Sequence, residues 1–262
     1  MNVLEFKARK QAGRKLSMVT CYDFWSAQIL AKTDVDTLLV GDSLAMVMHG
    51  FDSTVHADVD LMALHIRAVA RGAPNKFIVG DMPFLAARKG LVPTMDAVQA
   101  LMQAGASAVK IEGETGQVEL IAHVVESGVP VVGHLGLTPQ SVHALGGHKV
   151  QARDDAAARV LLESSRKLAD AGCCALVLEC VPSAVAHSIT AALEIPIIGI
   201  GAGPHTDGQV LVLQDMLGMN PNFKPKFLRH YANGFEMISG AVKEFHEDTC
   251  RGCFPSAAES YR

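Results

Sequence analysis

The chain predicts an α/β fold, a closed (β/α)8 TIM barrel in a single domain, and three observations carry that prediction. Short apolar runs alternate eight times with longer segments, most of which are helically spaced. The helical segments end in Ala-Gly or Ser-Gly at Ala104-Gly105, Ser127-Gly128 and Ala171-Gly172, where glycine supplies the left-handed residue that closes a helix. Four carboxylates, Asp42, Asp81, Glu112 and Glu179, stand at the ends of runs.

In order, the runs are Ser17–Cys21, Thr37–Gly41, Phe77–Gly80, Ala106–Ile111, Pro130–Gly133, Cys174–Leu178, Pro196–Ile200 and Gln209–Leu213. They are rich in Val, Ile and Leu without polar alternation, the pattern of strands buried on both faces of a parallel sheet. Pro130 and Pro196 open their strands, where a missing N–H is tolerated. Helical spacing is clearest in Ala57–Arg71, Met95–Gln103, Gln117–Glu126, Asp155–Ala171 and Ser183–Leu193. Alternation alone also fits an open doubly wound sheet. Gly199, Gly201 and Gly203, however, are spaced G-x-G-x-G at the seventh run, which is not a dinucleotide fingerprint, and the barrel is preferred.

The 262 residues are 49% hydrophobic with a formal net charge of -4, a composition that gives no basic footprint for nucleic acid. No stretch approaches the roughly 20 apolar residues of a membrane span, so a cytoplasmic protein is expected. No linker interrupts the alternation, and one domain over residues 1–262 is expected, with a short N-terminal extension and a C-terminal tail. The cations Lys7, Arg9, Lys10, Arg14 and Lys15 precede no signal-peptide core and read as a solvated segment. Cys21, Cys173, Cys174 and Cys180 lie in or beside apolar runs, where a thiol behaves as a small hydrophobe. Cys250 and Cys253 form one C-x-x-C beside His246; with no second pair nearby, tail cysteines without metal are preferred.

In a barrel every strand's C-terminal end faces one rim, so Asp42, Asp81, Glu112, His134 and Glu179 would share a bowl. Any one carboxylate could instead cap the following helix, as Asp42 could after Ser43. Four together need a compensating cation, because unpaired buried carboxylates are costly. Oxygen-only ligands favour Mg²⁺ over Zn²⁺. Lys110 lies two positions from Glu112, on the same face of its strand, where an ammonium could meet an anionic substrate. His134 leaves both a proton-handling and a structural role open. His65, His123 and His187 fall in helical segments and read as surface or packing residues. The polar stretch Leu135–Arg153 reads as a lid or a subunit contact. One Trp and three Tyr leave little stacking surface for a sugar chain, which argues against a glycosidase and for a small charged substrate.

At these residues the chain resembles the ketopantoate hydroxymethyltransferases, the 3-methyl-2-oxobutanoate hydroxymethyltransferases of pantothenate biosynthesis. The matching segments are Met18-Val-Thr-Cys-Tyr-Asp, Leu39-Val-Gly-Asp-Ser-Leu, Gly80-Asp-Met-Pro-Phe, Ala108-Val-Lys-Ile-Glu-Gly, Gly133-His-Leu-Gly-Leu-Thr-Pro-Gln-Ser, Leu178-Glu-Cys-Val-Pro and Ile198-Gly-Ile-Gly-Ala-Gly, then Asp207-Gly-Gln. The resemblance implies a Mg²⁺-dependent barrel in which Asp42 and Asp81 bind the metal directly and Glu112 directly or through water. It implies that Asp42, Ser43, Asp81, Lys110 and His134 surround the 2-oxo acid and that Glu179 is the proton acceptor. It also implies 5,10-methylenetetrahydrofolate as donor, a helical C-terminal tail, and a large homo-oligomer, commonly a decamer. This chain departs from the family pattern at Cys21, Ala45 and Ala152; the two alanines stand where Gly is usual and bear on lid geometry. The competing readings are a phosphoenolpyruvate mutase or isocitrate lyase-like Mg²⁺ enzyme, whose Lys-Lys-Cys-Gly-His stretch is not found here, and a non-catalytic metabolite-binding barrel.

Overall fold

In the computed structural model, which describes residues 2–261, eight parallel strands close into a barrel in sequence order, with β1 returning to β8. The strands are β1 Leu16–Thr20, β2 Thr37–Val40, β3 Phe77–Asp81, β4 Ala108–Glu112, β5 Val131–Gly136, β6 Ala175–Glu179, β7 Ile197–Ile200 and β8 Gly208–Leu211. Each overlaps its predicted run. The largest difference is at β5, which continues to Gly136 and so takes His134 into the sheet. Gly136 ends it with φ +91, and a Cβ there would collide with the Glu179 carbonyl, so only glycine lets β5 and β6 approach at this point.

The first unit, residues 1–211, also carries α1 Val3–Gln11, α2 Phe24–Leu30, α3 Leu44–Val47, α4 Val59–Gly72, α5 Leu91–Gln103, α6 Val118–Glu126, α7 Asp155–Asp170 and α8 Ser183–Ala192. Aspartates start three of them: Asp23, Asp58 and Asp154 are extended and accept the N–H of Ser26, Leu61 and Ala157. Helix α5 begins at Leu91 rather than at Met95 as predicted, because Pro93 in the first turn lacks only an N–H that has no helical partner there. The predicted glycines Gly105, Gly128 and Gly172 all lie at positive φ, +112, +89 and +95.

The N-terminal segment corrects its prediction. It is not a solvated extension but helix α1, whose Phe6 is fully buried and meets Phe77 edge-on at 5.1 Å. Burying a phenyl ring is worth roughly 1.5–3 kcal/mol. The cations anchor the helix: Lys10 Nζ lies 2.8 Å from Asp207 Oδ2, and Arg9 lies 2.7 Å from Asp36.

The barrel interior changes character along its axis. Met18, Leu39, Phe77, Val79, Ala108, Val132, Ala175, Val177, Ile198 and Val210 pack into one apolar cluster with Phe6. Because side chains two apart share a strand face, continuing from Val79 gives Asp81, from Ala108 gives Lys110 and Glu112, from Val132 gives His134, and from Val177 gives Glu179. The inward face thus turns from apolar to charged as each strand reaches its C-terminal end.

The second unit, residues 212–262, contains α9 Leu213–Met216 and α10 Gly234–Arg251. Helix α10 closes on Gly252 at φ +68, and the rings of Phe245 and Phe254 meet edge-on at 5.5 Å. Cys250 and Cys253 are exposed free thiols, with Cys250 Sγ 3.6 Å from His246 Nε2.

Candidate active site at the strand ends

Strand register explains the pairing of charges. Asp81 stands opposite Lys110, Glu112 opposite His134, and Gly136 opposite Glu179. Lys110 Nζ lies 2.7 Å from Asp81 Oδ1 and 3.6 Å from Glu112 Oε1, in ion pairs with almost no solvent exposure. Asp42 follows β2 by two residues, and its backbone N–H donates to Asp81 Oδ2 at 3.2 Å. The compensating cation that four clustered carboxylates require is therefore supplied in part by the chain itself, as Lys110.

His134 links the two ends of the cluster. Its Nδ1 is 3.1 Å from Glu112 Oε1, and its Nε2 makes an ion-pair contact of 3.3 Å with Glu179 Oε2. Nδ1 also lies 3.2 Å from Lys110 Nζ, and the two contacts at that nitrogen exclude one another as hydrogen bonds. A protonated ring donates to Glu112 and only tolerates the ammonium. Burial and then Lys110 push the imidazole down, but Glu112 and Glu179 outweigh them and hold it at about 9. The imidazolium form follows, with both ring nitrogens turned toward carboxylates.

The carboxylates are set apart from one another electrostatically. Burial, followed by the charges of Asp81 and Glu112, pushes Asp42 well above the usual carboxylate range. Asp81 is raised mainly by burial, against the pull of Lys110. Burial also opposes ionisation of Glu112, but Lys110 and His134 win and lower it. For Lys110 burial lowers and the three acids raise, leaving it firmly protonated.

Gln140 completes the network, and reading the sequence missed it as a site residue. It lay in the polar stretch Leu135–Arg153 and in the matching segment Gly133-His-Leu-Gly-Leu-Thr-Pro-Gln-Ser, with no role assigned to it. Its Nε2 donates to Asp42 Oδ2 and to the Met82 carbonyl, both at 2.9 Å, and its backbone N–H donates to Glu112 Oε2 at 3.2 Å. Ser43 lies beside Asp42 with its Oγ 2.8 Å from the Tyr22 hydroxyl. His65, read as a packing residue, also has polar partners: Nδ1 contacts the Tyr22 carbonyl, and Nε2 lies 2.9 Å from His49 Nε2. Residue Cys180, immediately after Glu179, is left-handed at φ +48, the kind of backbone strain that collects at functional sites. The thiols of Cys21, Cys173 and Cys174 are pushed up to about 12 by burial, and that of Cys180 to about 11, which makes them poor nucleophiles.

Fold and site together define a (β/α)8-barrel protein with a carboxylate-lined bowl at the strand ends, where barrels of this architecture carry their chemistry. The family model described as ketopantoate hydroxymethyltransferase matches residues 1–257. The chain is 56% identical over 259 residues to 3-methyl-2-oxobutanoate hydroxymethyltransferase of Bdellovibrio bacteriovorus, covering 99% of this chain and 98% of that protein. It is 55% identical to the protein of the same name from Coxiella burnetii, over 97% of this chain and 96% of that protein. The chain belongs to the ketopantoate hydroxymethyltransferase family and is an enzyme that transfers a hydroxymethyl group. Among solved structures the fold is similar to a putative phosphonomutase from Burkholderia cenocepacia, at TM-score 0.67 and 15% identity over 93% of this chain and 98% of that one. It is also similar to 2,3-dimethylmalate lyase, at TM-score 0.62 and 13% identity over 99% and 91%.

Proposed function

We propose that this enzyme makes ketopantoate by transferring a hydroxymethyl group from 5,10-methylenetetrahydrofolate to 3-methyl-2-oxobutanoate, with Mg²⁺ at the acid cluster. One observation carries the reading: a single network joins two neighbouring aspartates, a protonated lysine and, through His134, the carboxylate of Glu179. Relatives at 55% and 56% identity carry the name of that activity and support it.

The donors of the acid cluster are all carboxylate oxygens, the chemistry a hard divalent ion takes, although among the described residues no three such groups are already gathered as ligands. Among the described residues, Asp42, Asp81, Glu112 and Glu179 pair with Lys110 and His134 as cations, so the network holds more acidic than basic groups. Asp42 is held up first by burial and then by the charges of Asp81 and Glu112, and added positive charge relieves the second cause. Asp42 and Asp81 would hold the ion, with Glu112 bound directly or through water. When bound, it supplies a Lewis acid for the keto oxygen of the 2-oxo acid.

The chain's own residues do the rest. Lys110 binds the substrate carboxylate, and Ser43, set by Tyr22, donates to the same acid. Glu179 takes the C3 proton on its Oε1, while His134 holds Oε2; such a base contributes on the order of 10²- to 10⁴-fold. The C3 electron pair then forms a bond to the donor's methylene carbon. The methylene carbon gives up both of its carbon–nitrogen bonds, one as the C3 bond forms and the other as the oxygen of one water becomes the product's hydroxyl; the two folate nitrogens take the proton from Glu179 and the remaining proton of that water. Assembly as a homodecamer in the cytoplasm belongs to the same reading. An exposed apolar row on α10, Phe235, Ile238, Val242 and Phe245, supports self-association, and sedimentation velocity tests it.

The decisive experiment is exchange without transfer. In D₂O with Mg²⁺ and no folate, the enzyme should exchange the C3 hydrogen of 3-methyl-2-oxobutanoate, followed by proton NMR. Glu179→Gln should abolish exchange, and a wild-type rate in that variant would remove Glu179 from the base role. A phosphoenolpyruvate mutase or isocitrate lyase-like activity would need no folate for turnover, which the same assay detects.

A further inference from the structure

His65 in α4 is tied at both of its ring nitrogens, more fixation than packing asks of it. Its Nδ1 contacts the Tyr22 carbonyl, and its Nε2 lies 2.9 Å from Nε2 of His49, just beyond α3. A carbonyl only accepts, so Nδ1 carries the hydrogen, and His49 Nε2 donates to the lone pair that this tautomer leaves on Nε2. The two rings stand at 89° with centroids 5.1 Å apart, so they meet at their edges, as that bond requires. His49 thereby fixes the tautomer in which His65 donates to Tyr22.

Tyr22 carries the contact onward. The residue is fully buried, and its hydroxyl lies 2.8 Å from Ser43 Oγ. A Cβ on Gly41 would stand 2.9 Å from the same oxygen, so glycine at 41 leaves the room in which the Ser43 hydroxyl sits. Helix α3, which Ser43 precedes, has four residues, too few to hold a position of its own, and its start is placed by its tertiary contacts. The Tyr22–Ser43 contact is one of these, and His65 holds the backbone from which Tyr22 reaches it.

We propose that His65 is a positioning residue for the 2-oxo acid: by holding the Tyr22 carbonyl, it keeps the Tyr22 hydroxyl, and through it the Ser43 hydroxyl, where Ser43 meets the substrate carboxylate. The proposal rests on the reading above in which Ser43 donates to the acid, and extends it to the residues behind Ser43. A bond from Ser43 to the carboxylate is made in the ground state and the transition state alike, so its loss raises KM and leaves kcat alone.

The test uses the full-length, Mg²⁺-loaded enzyme, C3 hydrogen exchange in D₂O without folate, and two variants that divide the contacts of the ring. His65→Asn places an amide nitrogen near Nδ1 and keeps the donor for Tyr22. His65→Gln places one near Nε2, keeps the contact with His49 and releases Tyr22. His65→Gln should raise KM for 3-methyl-2-oxobutanoate by about tenfold, the worth of one hydrogen bond at the upper end of its range, with the saturated exchange rate unchanged. His65→Asn should keep KM close to the wild type. In a Ser43→Ala background, His65→Gln should add nothing further, because the hydroxyl it positions is gone.

With KM raised by Ser43→Ala alone, equal effects of the two His65 substitutions, no effect of His65→Gln, or additive changes in the double variant would each overturn the proposal and leave the function reading standing. A wild-type KM in Ser43→Ala would strike the assignment of Ser43, and the positioning role with it. Absence of C3 exchange in the wild-type enzyme would strike the function reading instead; calorimetric titration with 3-methyl-2-oxobutanoate, which needs no turnover, would then decide between the two His65 variants.

Discussion

Gln140 Nε2 donates to Asp42 Oδ2 at 2.9 Å across 98 positions of sequence, and its second amide hydrogen is spent on the Met82 carbonyl. With its backbone N–H on Glu112 Oε2, this one residue of the rim fixes an oxygen on each of two acids. Replacing Gln140 by Leu keeps most of the volume and strands Asp42 Oδ2 and the Met82 carbonyl. The expected outcome is a fall in kcat/KM of about tenfold or more and a matching weakening of Mg²⁺ binding by calorimetry. Unaltered Mg²⁺ affinity with reduced activity would show that Gln140 acts on the substrate and not on Asp42.

The barrel and its charged rim were legible in the sequence because buried strands leave contiguous apolar runs and a charge at a run's end is conspicuous. Helix α1 was not, since Phe6 is its one fully buried side chain and much of its seat is ion pairs, which leave no apolar periodicity. The role of Gln140 was hidden for another reason. A neutral amide in a polar stretch carries no local sign of the carboxylates that the closed barrel brings to it.

Lys110 is the electrostatic centre of the buried network, which makes its removal costly in a specific way. Lys110→Met leaves Asp81 and Glu112 buried without the ammonium that contacts both. Breaking a buried pair in this manner costs roughly 3–5 kcal/mol, and urea unfolding in EDTA should report a loss of that size. Adding Asp81→Asn to the Lys110→Met protein should recover part of the loss, because the stranded charge is gone. A double variant no more stable than the single would show that Lys110 holds the site by packing rather than by charge.

The imidazole of His134 sets a pH signature. Burial and Lys110 lower it, Glu112 and Glu179 more than restore it, and the folded protein holds it at about 9 against an ordinary 6.5. A group raised in the folded state binds its proton more tightly there, so its stabilisation is complete below about 6.5 and fades as pH climbs to about 9. In EDTA, the stability difference between the wild type and His134→Asn should therefore shrink across that window. A difference that is flat or grows with pH would mean that His134 is neutral in the folded enzyme.

Ala152 sits at φ +54, and the preceding Gln151 donates its backbone N–H at 2.8 Å to the carbonyl of Cys180, itself left-handed at φ +48. An L-residue with a Cβ in that region costs about 1–2 kcal/mol, and glycine does not incur the cost. Glycine also gains freedom in the unfolded chain, which takes back roughly 0.4–1 kcal/mol. Ala152→Gly should thus stabilise the protein by about 0.5–1 kcal/mol, a rise in Tm of about 1–4 °C. Ala152→Val should lower Tm, since a β-branched residue tolerates positive φ least. A drop in Tm for the glycine variant would show that the Gln151–Cys180 contact, and not the alanine's backbone, limits the stability of this rim segment.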